Sequence, residues 1–87
     1  FKNGVTWLYK NYIMQFRSSA IFSLPIGDKF SIIPISNLEN LNIKGSKYEL
    51  NDTFIPKGSS RTLRNESIGK EITVNCNTGL FNLVYKL

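Results

Sequence analysis

Apolar residues recur at helical spacing across residues 5–22, and no Gly or Pro interrupts them. Val5, Tyr9, Tyr12, Ile13, Phe16 and Ala20 form one stripe, Trp7 and Met14 widen it, and Lys10, Asn11, Gln15 and Ser18 fall largely elsewhere. The spacing predicts an amphipathic helix over 5–22, its aromatic content suited to lying against a sheet. Pro25 and Gly27 end it.

Strand signals follow. Residues 29–35 carry Phe30, Ile32, Ile33 and Ile35, with Pro34 marking an edge or an early end. Leu38, Leu41 and Ile43 are spread through an Asn- and Ser-rich stretch, 36–46, that reads as a short strand or an ordered loop. Segments 47–50 and 53–55 are short strand candidates flanking Asn51-Asp52, a turn-prone pair. The polar stretch 56–70 reads as an exposed loop with room for a short strand. Clean alternation returns in 71–76, where Ile72, Val74 and Cys76 share a face, and in 81–85, where Phe81, Leu83 and Tyr85 do. Asn77-Thr78-Gly79 between them predicts a closing β-hairpin. The expected architecture is α+β, with an N-terminal helix packed on an antiparallel sheet of about four strands. At 87 residues the chain holds one domain, 1–87.

Composition adds exclusions more than assignments. With 41% hydrophobic and 20% charged residues the chain is ordinary globular material. It contains no apolar window of about 18 residues, the length a bilayer-spanning helix needs. The first residue is Phe1, which suggests an excised segment whose membrane anchor, if it has one, lies upstream. There is no His and only one Cys, so Ser-His-Asp and Cys-His catalysis, zinc sites and an internal disulfide are all excluded. Cys76 reads as a small residue at a strand end. The six acids are scattered, giving neither a carboxylate dyad nor a metal cage. The expectation is therefore no enzyme, no cofactor, no metal and no small-molecule substrate.

Eleven Lys and Arg against six Asp and Glu give a net charge of +5, which favours an anionic partner or serves solubility alone. Lys57, Arg61, Arg64 and Lys70 cluster in the polar loop with Gly58, Ser59, Ser60 and Thr62. Such a loop can grip phosphates by charge and hydrogen bonding without reading bases, and the same residues also fit a plain solvated loop. The sequence Pro-Lys-Gly-Ser-Ser is not a P-loop, lacking the required spacing and a following helix. Phe30, Tyr48, Phe54, Phe81 and Tyr85 would stack on bases if exposed, but in so small a domain strand aromatics are expected in the core. Asn51-Asp-Thr53 and Asn65-Glu-Ser67 match the glycosylation sequon, as Asn-rich chains do by chance.

Three stretches resemble a known family: Arg-Ser-Ser-Ala-Ile at 17–21, Phe-Ile-Pro-Lys-Gly-Ser-Ser at 54–60, and Ile-Thr-Val-Asn-Cys-Asn-Thr-Gly at 72–79. The chain is similar to the soluble domain of type IV pilin-like minor pilins and pseudopilins, with Ala20, Gly58 and Gly79 at the matching places. Arg61-Thr-Leu-Arg64 replaces the family's Gly-Thr step. The resemblance implies a non-catalytic subunit of a type IV pilus, competence or type II secretion filament. It also implies membrane anchoring through a missing upstream half-helix, contacts with other pilin subunits through the N-terminal helix, and exposure at the cell surface. Contact with DNA through Arg61 and Arg64 is a secondary expectation. The alternative is a small cytoplasmic or phage-encoded basic protein that binds nucleic acid.

Overall fold

A computed structural model describes residues 6–86, with no account of the side chains of Thr6, Trp7 and Tyr9. Nine strands follow one another: β1 (Thr6–Tyr9), β2 (Tyr12–Arg17), β3 (Ser19–Ser23), β4 (Lys29–Pro34), β5 (Leu38–Lys44), β6 (Leu50–Ile55), β7 (Asn65–Glu66), β8 (Glu71–Asn75) and β9 (Phe81–Lys86). They build two antiparallel sheets. One has the order β1-β2-β9-β4-β7 and the other β3-β8-β5-β6. Among the described residues there is no helix.

The α+β expectation is thus corrected to all-β, and the predicted helix over 5–22 is three strands; Val5 lies outside the described residues. Apart from Ala20 the stripe is made of aromatic and β-branched side chains, which pack well on a pleated surface and lose rotamer freedom in a helix. Lys10 and Asn11 have φ of 47° and 68° and form the two-residue loop between Tyr9 and its partner Tyr12. Two consecutive left-handed residues give the mirror-image turn whose twist suits a hairpin. At Ser18 the chain leaves one sheet for the other: Arg17 pairs with Phe81 on β9, whereas Ser19 pairs with Asn75 on β8.

The closing pair is corrected as well. Strands form where the alternation placed them, yet β8 and β9 do not pair with each other. β8 lies between β3 and β5, and β9 lies between β2 and β4. Their connection crosses from sheet to sheet. Ile72 and Val74 therefore face Phe81 and Leu83 across the core rather than covering a helix. All four are 1% exposed or less.

The core is the space between the sheets, filled by Phe30, Ile32, Leu38, Leu41, Ile43, Ile55 and these four, with Ala20 beside them. Phe22 of β3 closes one end, edge-on to Phe30 at 5.2 Å and stacked on Tyr85 at 5.9 Å. The uneven spacing of Leu38, Leu41 and Ile43 comes from two bulges. The register runs Leu38 to Ile55, Leu41 to Thr53 and Ile43 to Leu50, so β5 carries an extra residue first and β6 carries one next. Asn40 and Asp52 occupy these bulges with φ of 56° and 50°. The pair Asn51-Asp52 accordingly sits within a strand rather than in a turn.

Candidate functional site

The four buried polar residues among the described residues, Ser46, Thr62, Asn65 and Ser67, all belong to the β5–β6 connection or to the segment from Thr62 to Ser67. Burying such groups is costly unless each finds partners, and these do. Ser67 Oγ donates to the Leu24 carbonyl at 2.8 Å and accepts from the Gly69 N–H at 3.1 Å. The Ser67 N–H donates to the Asp28 carbonyl at 2.8 Å, and the Gly27 N–H returns a bond to the Ser67 carbonyl at 2.9 Å. Asn65 turns to the other side. Its Oδ1 accepts from the Tyr48 N–H at 3.1 Å, and its Nδ2 donates to the Tyr48 carbonyl at 2.9 Å. Lys47 N–H adds a bond to the Glu66 carbonyl at 2.9 Å. The two-residue strand β7 is thereby tied both to the start of β4 and to the β5–β6 connection, one from each sheet.

Two clefts open beside this segment. The smaller, about 450 Å³, is lined by Ile43, Lys47, Tyr48, Glu49, Leu50, Arg61, Thr62, Leu63 and Asn65. Its floor is apolar, from Ile43 and Leu50. A phenol ring, 58% exposed, and a carboxylate stand on its wall. Glu49 Oε2 accepts from the Gly45 N–H at 2.7 Å, which fixes the carboxylate. Lys47 Nζ lies 5.4 Å from the Tyr48 ring centroid and covers one face of the ring. The larger cleft, about 720 Å³, is lined by Tyr12, Phe30, Ser31, Val84, Tyr85, the Gly27–Asp28–Lys29 turn, Arg64 and Lys86. Here Lys29 pairs with Glu66, and this hydrogen bond holds the Glu66 carboxyl below its usual range. Among the described residues no group of three His, Cys, Asp or Glu is placed to hold a metal ion.

The basic residues singled out from the sequence are not gathered into one site. Arg61 lines the smaller cleft and Arg64 the larger, while Lys57 and Lys70 line neither. Lys57 sits exposed on the turn after β6, its N–H bonded to Asn37 Oδ1 at 2.9 Å. Lys70 is exposed just before β8. Of the five strand aromatics, Phe30 and Phe81 are core, whereas Tyr48 and Phe54 are 58% and 56% exposed. Asn65, set aside as a chance sequon, is the buried clamp on Tyr48. The acids Asp28 and Glu49, scattered in sequence, each reach a cleft.

Comparison with known proteins accounts for the fold. The crystal structure of thiamine pyrophosphokinase from Bacillus subtilis superposes with a TM-score of 0.86 at 23% identity, covering 95% of this chain and 41% of that one. A thiamin pyrophosphokinase family protein from Enterococcus faecalis gives 0.76 at 21% identity, covering 90% and 38%. The enzyme from Geobacillus thermodenitrificans gives 0.72 at 20%, covering 87% and 37%. The chain thus spans about two fifths of the length of these structures. No curated protein matches it by sequence. A family model described as "Thiamin pyrophosphokinase, vitamin B1 binding domain" matches residues 12–81.

These findings overturn the pilin resemblance and what hung on it: the filament subunit, the partner pilins, the cell-surface location, and the expectation of neither enzyme nor small-molecule ligand. The alternative of a nucleic-acid-binding protein goes with them. The short motifs behind the resemblance fall in β2–β3, in the β6–β7 connection and in β8, where they serve a sandwich. The membrane anchor was inferred through the pilin helix, and no helix of the described residues is long and apolar enough to cross a bilayer. With the matched span running through most of both sheets, the chain belongs to the thiamin pyrophosphokinase family, as a vitamin B1 binding domain.

Proposed function

We propose that this domain holds thiamin in a thiamin pyrophosphokinase, and that the smaller cleft is where the vitamin's rings sit. Thiamin joins a flat aminopyrimidine to a positively charged thiazolium. The cleft offers a counterpart to each part: the open face of Tyr48 for stacking, Glu49 for the cation, and Ile43, Leu50 and Leu63 for apolar contact. The observation that carries the reading is the family match over residues 12–81, which takes in every residue lining this cleft. Two cations, Lys47 and Arg61, share this cleft, and Lys47 is turned onto the Tyr48 ring. In this reading the vitamin's hydroxyl oxygen bonds the β-phosphorus of a nucleoside triphosphate. The bond from that phosphorus to the α-phosphate oxygen breaks so that the nucleoside monophosphate leaves, and the hydroxyl proton passes to solvent. The nucleotide's own site is assigned to the about three fifths of the related enzymes that this chain does not span.

Calorimetric titration with thiamin tests the assignment. The parent chain should bind the vitamin, Tyr48→Ala should weaken binding about tenfold through lost stacking, and Glu49→Gln should weaken binding of thiamin more than binding of an uncharged pyrimidine. Parent-like affinity in both variants would remove the cleft assignment, and absence of any binding to the parent would remove the function.

A further inference from the structure

We infer that residues 62–67 dock and release as one unit, so that filling the smaller cleft firms a wall of the larger. Both clefts share this segment: Thr62, Leu63 and Asn65 line the smaller and Arg64 the larger. Its attachment differs from that of the rest of the sandwich. From Pro56 to Lys70 no hydrophobic side chain is buried, and Leu63 and Ile68 are each 40% exposed. The side chains that it does bury, Thr62, Asn65 and Ser67, are all polar. It can therefore leave without opening the apolar core, as the parts of a fold that open locally do.

Hydrogen bonds fix both of its sides. On one side Thr62 Oγ1 donates to the Ile32 carbonyl, and the Ile32 N–H donates to the Thr62 carbonyl at 3.0 Å. The Arg64 N–H donates to Ser31 Oγ at 3.0 Å, and Ser67 exchanges backbone bonds with Gly27 and Asp28. On the other side Ser67 bridges to Ser46, the Lys47 N–H reaches the Glu66 carbonyl, and Asn65 holds Tyr48. Ser67 and Ser46 are 1% and 4% exposed. A segment pulled off one wall alone would leave such buried donors and acceptors without partners, which is costly. Partial release is thus disfavoured, and the Gly27–Asp28–Lys29 turn and the Lys47–Tyr48–Glu49 stretch are held or freed together. A ligand that needs Leu63 and Asn65 in place binds the docked state, and by linkage it firms the turn before β4. That thiamin is this ligand rests on the function proposed for the smaller cleft; the shared opening of the two walls does not.

Native-state hydrogen exchange of the isotope-labelled chain, in a urea series below the unfolding transition, tests the coupling without ligand or mutation. The amides of Gly27, Lys47, Tyr48 and Ser67 should share one opening free energy and one urea dependence, both lower than those of β8 and β9. Separate values for Gly27 and Tyr48, or values equal to those of β8 and β9, would overturn the coupling. Ser67→Ala removes a hydroxyl that bonds Leu24 and Gly69, yet it should speed exchange at Tyr48 about tenfold. Faster exchange at Gly69 with Tyr48 unchanged would also overturn it. Thiamin added to the parent chain should slow exchange at Gly27 together with Tyr48. Slowing at Tyr48 alone would overturn the coupling and leave the vitamin's site standing. Slowing at neither would remove the vitamin assignment, while the urea series still decides the coupling.

Discussion

Asn65 grips the main chain of Tyr48 from both directions, its Oδ1 accepting from the Tyr48 N–H at 3.1 Å and its Nδ2 donating to the Tyr48 carbonyl at 2.9 Å. The side-chain amide thus takes the place of a neighbouring strand for one residue. It is 3% exposed, so water cannot replace it. The ring proposed to stack on thiamin is positioned by this contact. Asn65→Ala should cost about 1–3 kcal/mol in chemical denaturation, since the Tyr48 backbone groups are left without these partners. It should also weaken thiamin binding while Tyr48 itself is intact. Asn65→Asp keeps the acceptor but sets a buried carboxylate oxygen against the Tyr48 carbonyl, and should cost at least as much as Asn65→Ala. Unchanged vitamin affinity in a folded Asn65→Ala would show that the clamp serves stability alone.

The crossing between β8 and β9 depends on Gly79. Its φ is 118°, and a Cβ there would run into the Asn37 carbonyl and the Leu38 side chain. Gly58 has φ of 80° but open space around it. Gly58→Ala should therefore cost about 1 kcal/mol from backbone strain alone. Gly79→Ala should cost about 3 kcal/mol or more, because the chain must also move off β5. Thermal or urea denaturation of the two variants reads the difference directly, and equal costs would contradict the close passage.

Glu66 is held ionised mainly by its hydrogen bond from Lys29, against a desolvation effect in the other direction, with the charges of Lys29 and Lys47 assisting. A carboxyl whose folded-state pKa is depressed stabilises the fold above its unfolded value, and this contribution is lost as pH falls through the folded value. The stability difference between the parent and Glu66→Gln should accordingly be largest near neutrality and shrink as pH is lowered from about 6 to about 3. A difference that stays constant over that range would show that the pair contributes no pH dependence.

Burial pushes the Cys76 thiol up from its ordinary pKa. Its Sγ lies 3.4 Å from the Ser18 carbonyl oxygen and 3.6 Å from that of Gly79, where a thiol can donate and a thiolate would be repelled. Alkylation by iodoacetamide near neutral pH should be slower than for an unstructured cysteine peptide, and its rate should rise with pH over a higher range. Reaction as fast as the peptide's would mean that the connection opens readily.

Legibility in the sequence followed how strictly each segment alternates. β8 alternates cleanly and β9 does so over its first half, so Ile72, Val74, Phe81 and Leu83 declared both strand and face, whereas β4 declared only a strand. β2 offers no such contrast: five of its six residues are half-buried, and its apolar side chains fit a helical stripe equally well. In β5 the bulge at Asn40 breaks the period and disguises a strand as a loop. Pairing was the least visible layer, because a connection as short as that from β8 to β9 looks the same whether it turns back or crosses to the other sheet. The site was obscured for a related reason. Glu49 and Tyr48 meet Arg61 and Asn65 only through the folding of distant segments, and the buried role of Asn65 has no local signature.

The placement of β9 carries a consequence for how the molecule is made. This strand is the last of those described yet occupies the centre of its five-stranded sheet, flanked by β2 and β4. Before Phe81–Lys86 has been synthesised, the β1–β2 hairpin and the β4–β7 pair have nothing to join them, and Ile32 lacks its cross-strand neighbour Leu83. In a nascent chain arrested short of that point the strands β1, β2, β4 and β7 should remain protease-sensitive, and their protection should arrive in one step when β9 emerges. Such late, long-range closure is slow compared with local pairing. During that wait, two sets of open strand edges await the same missing piece.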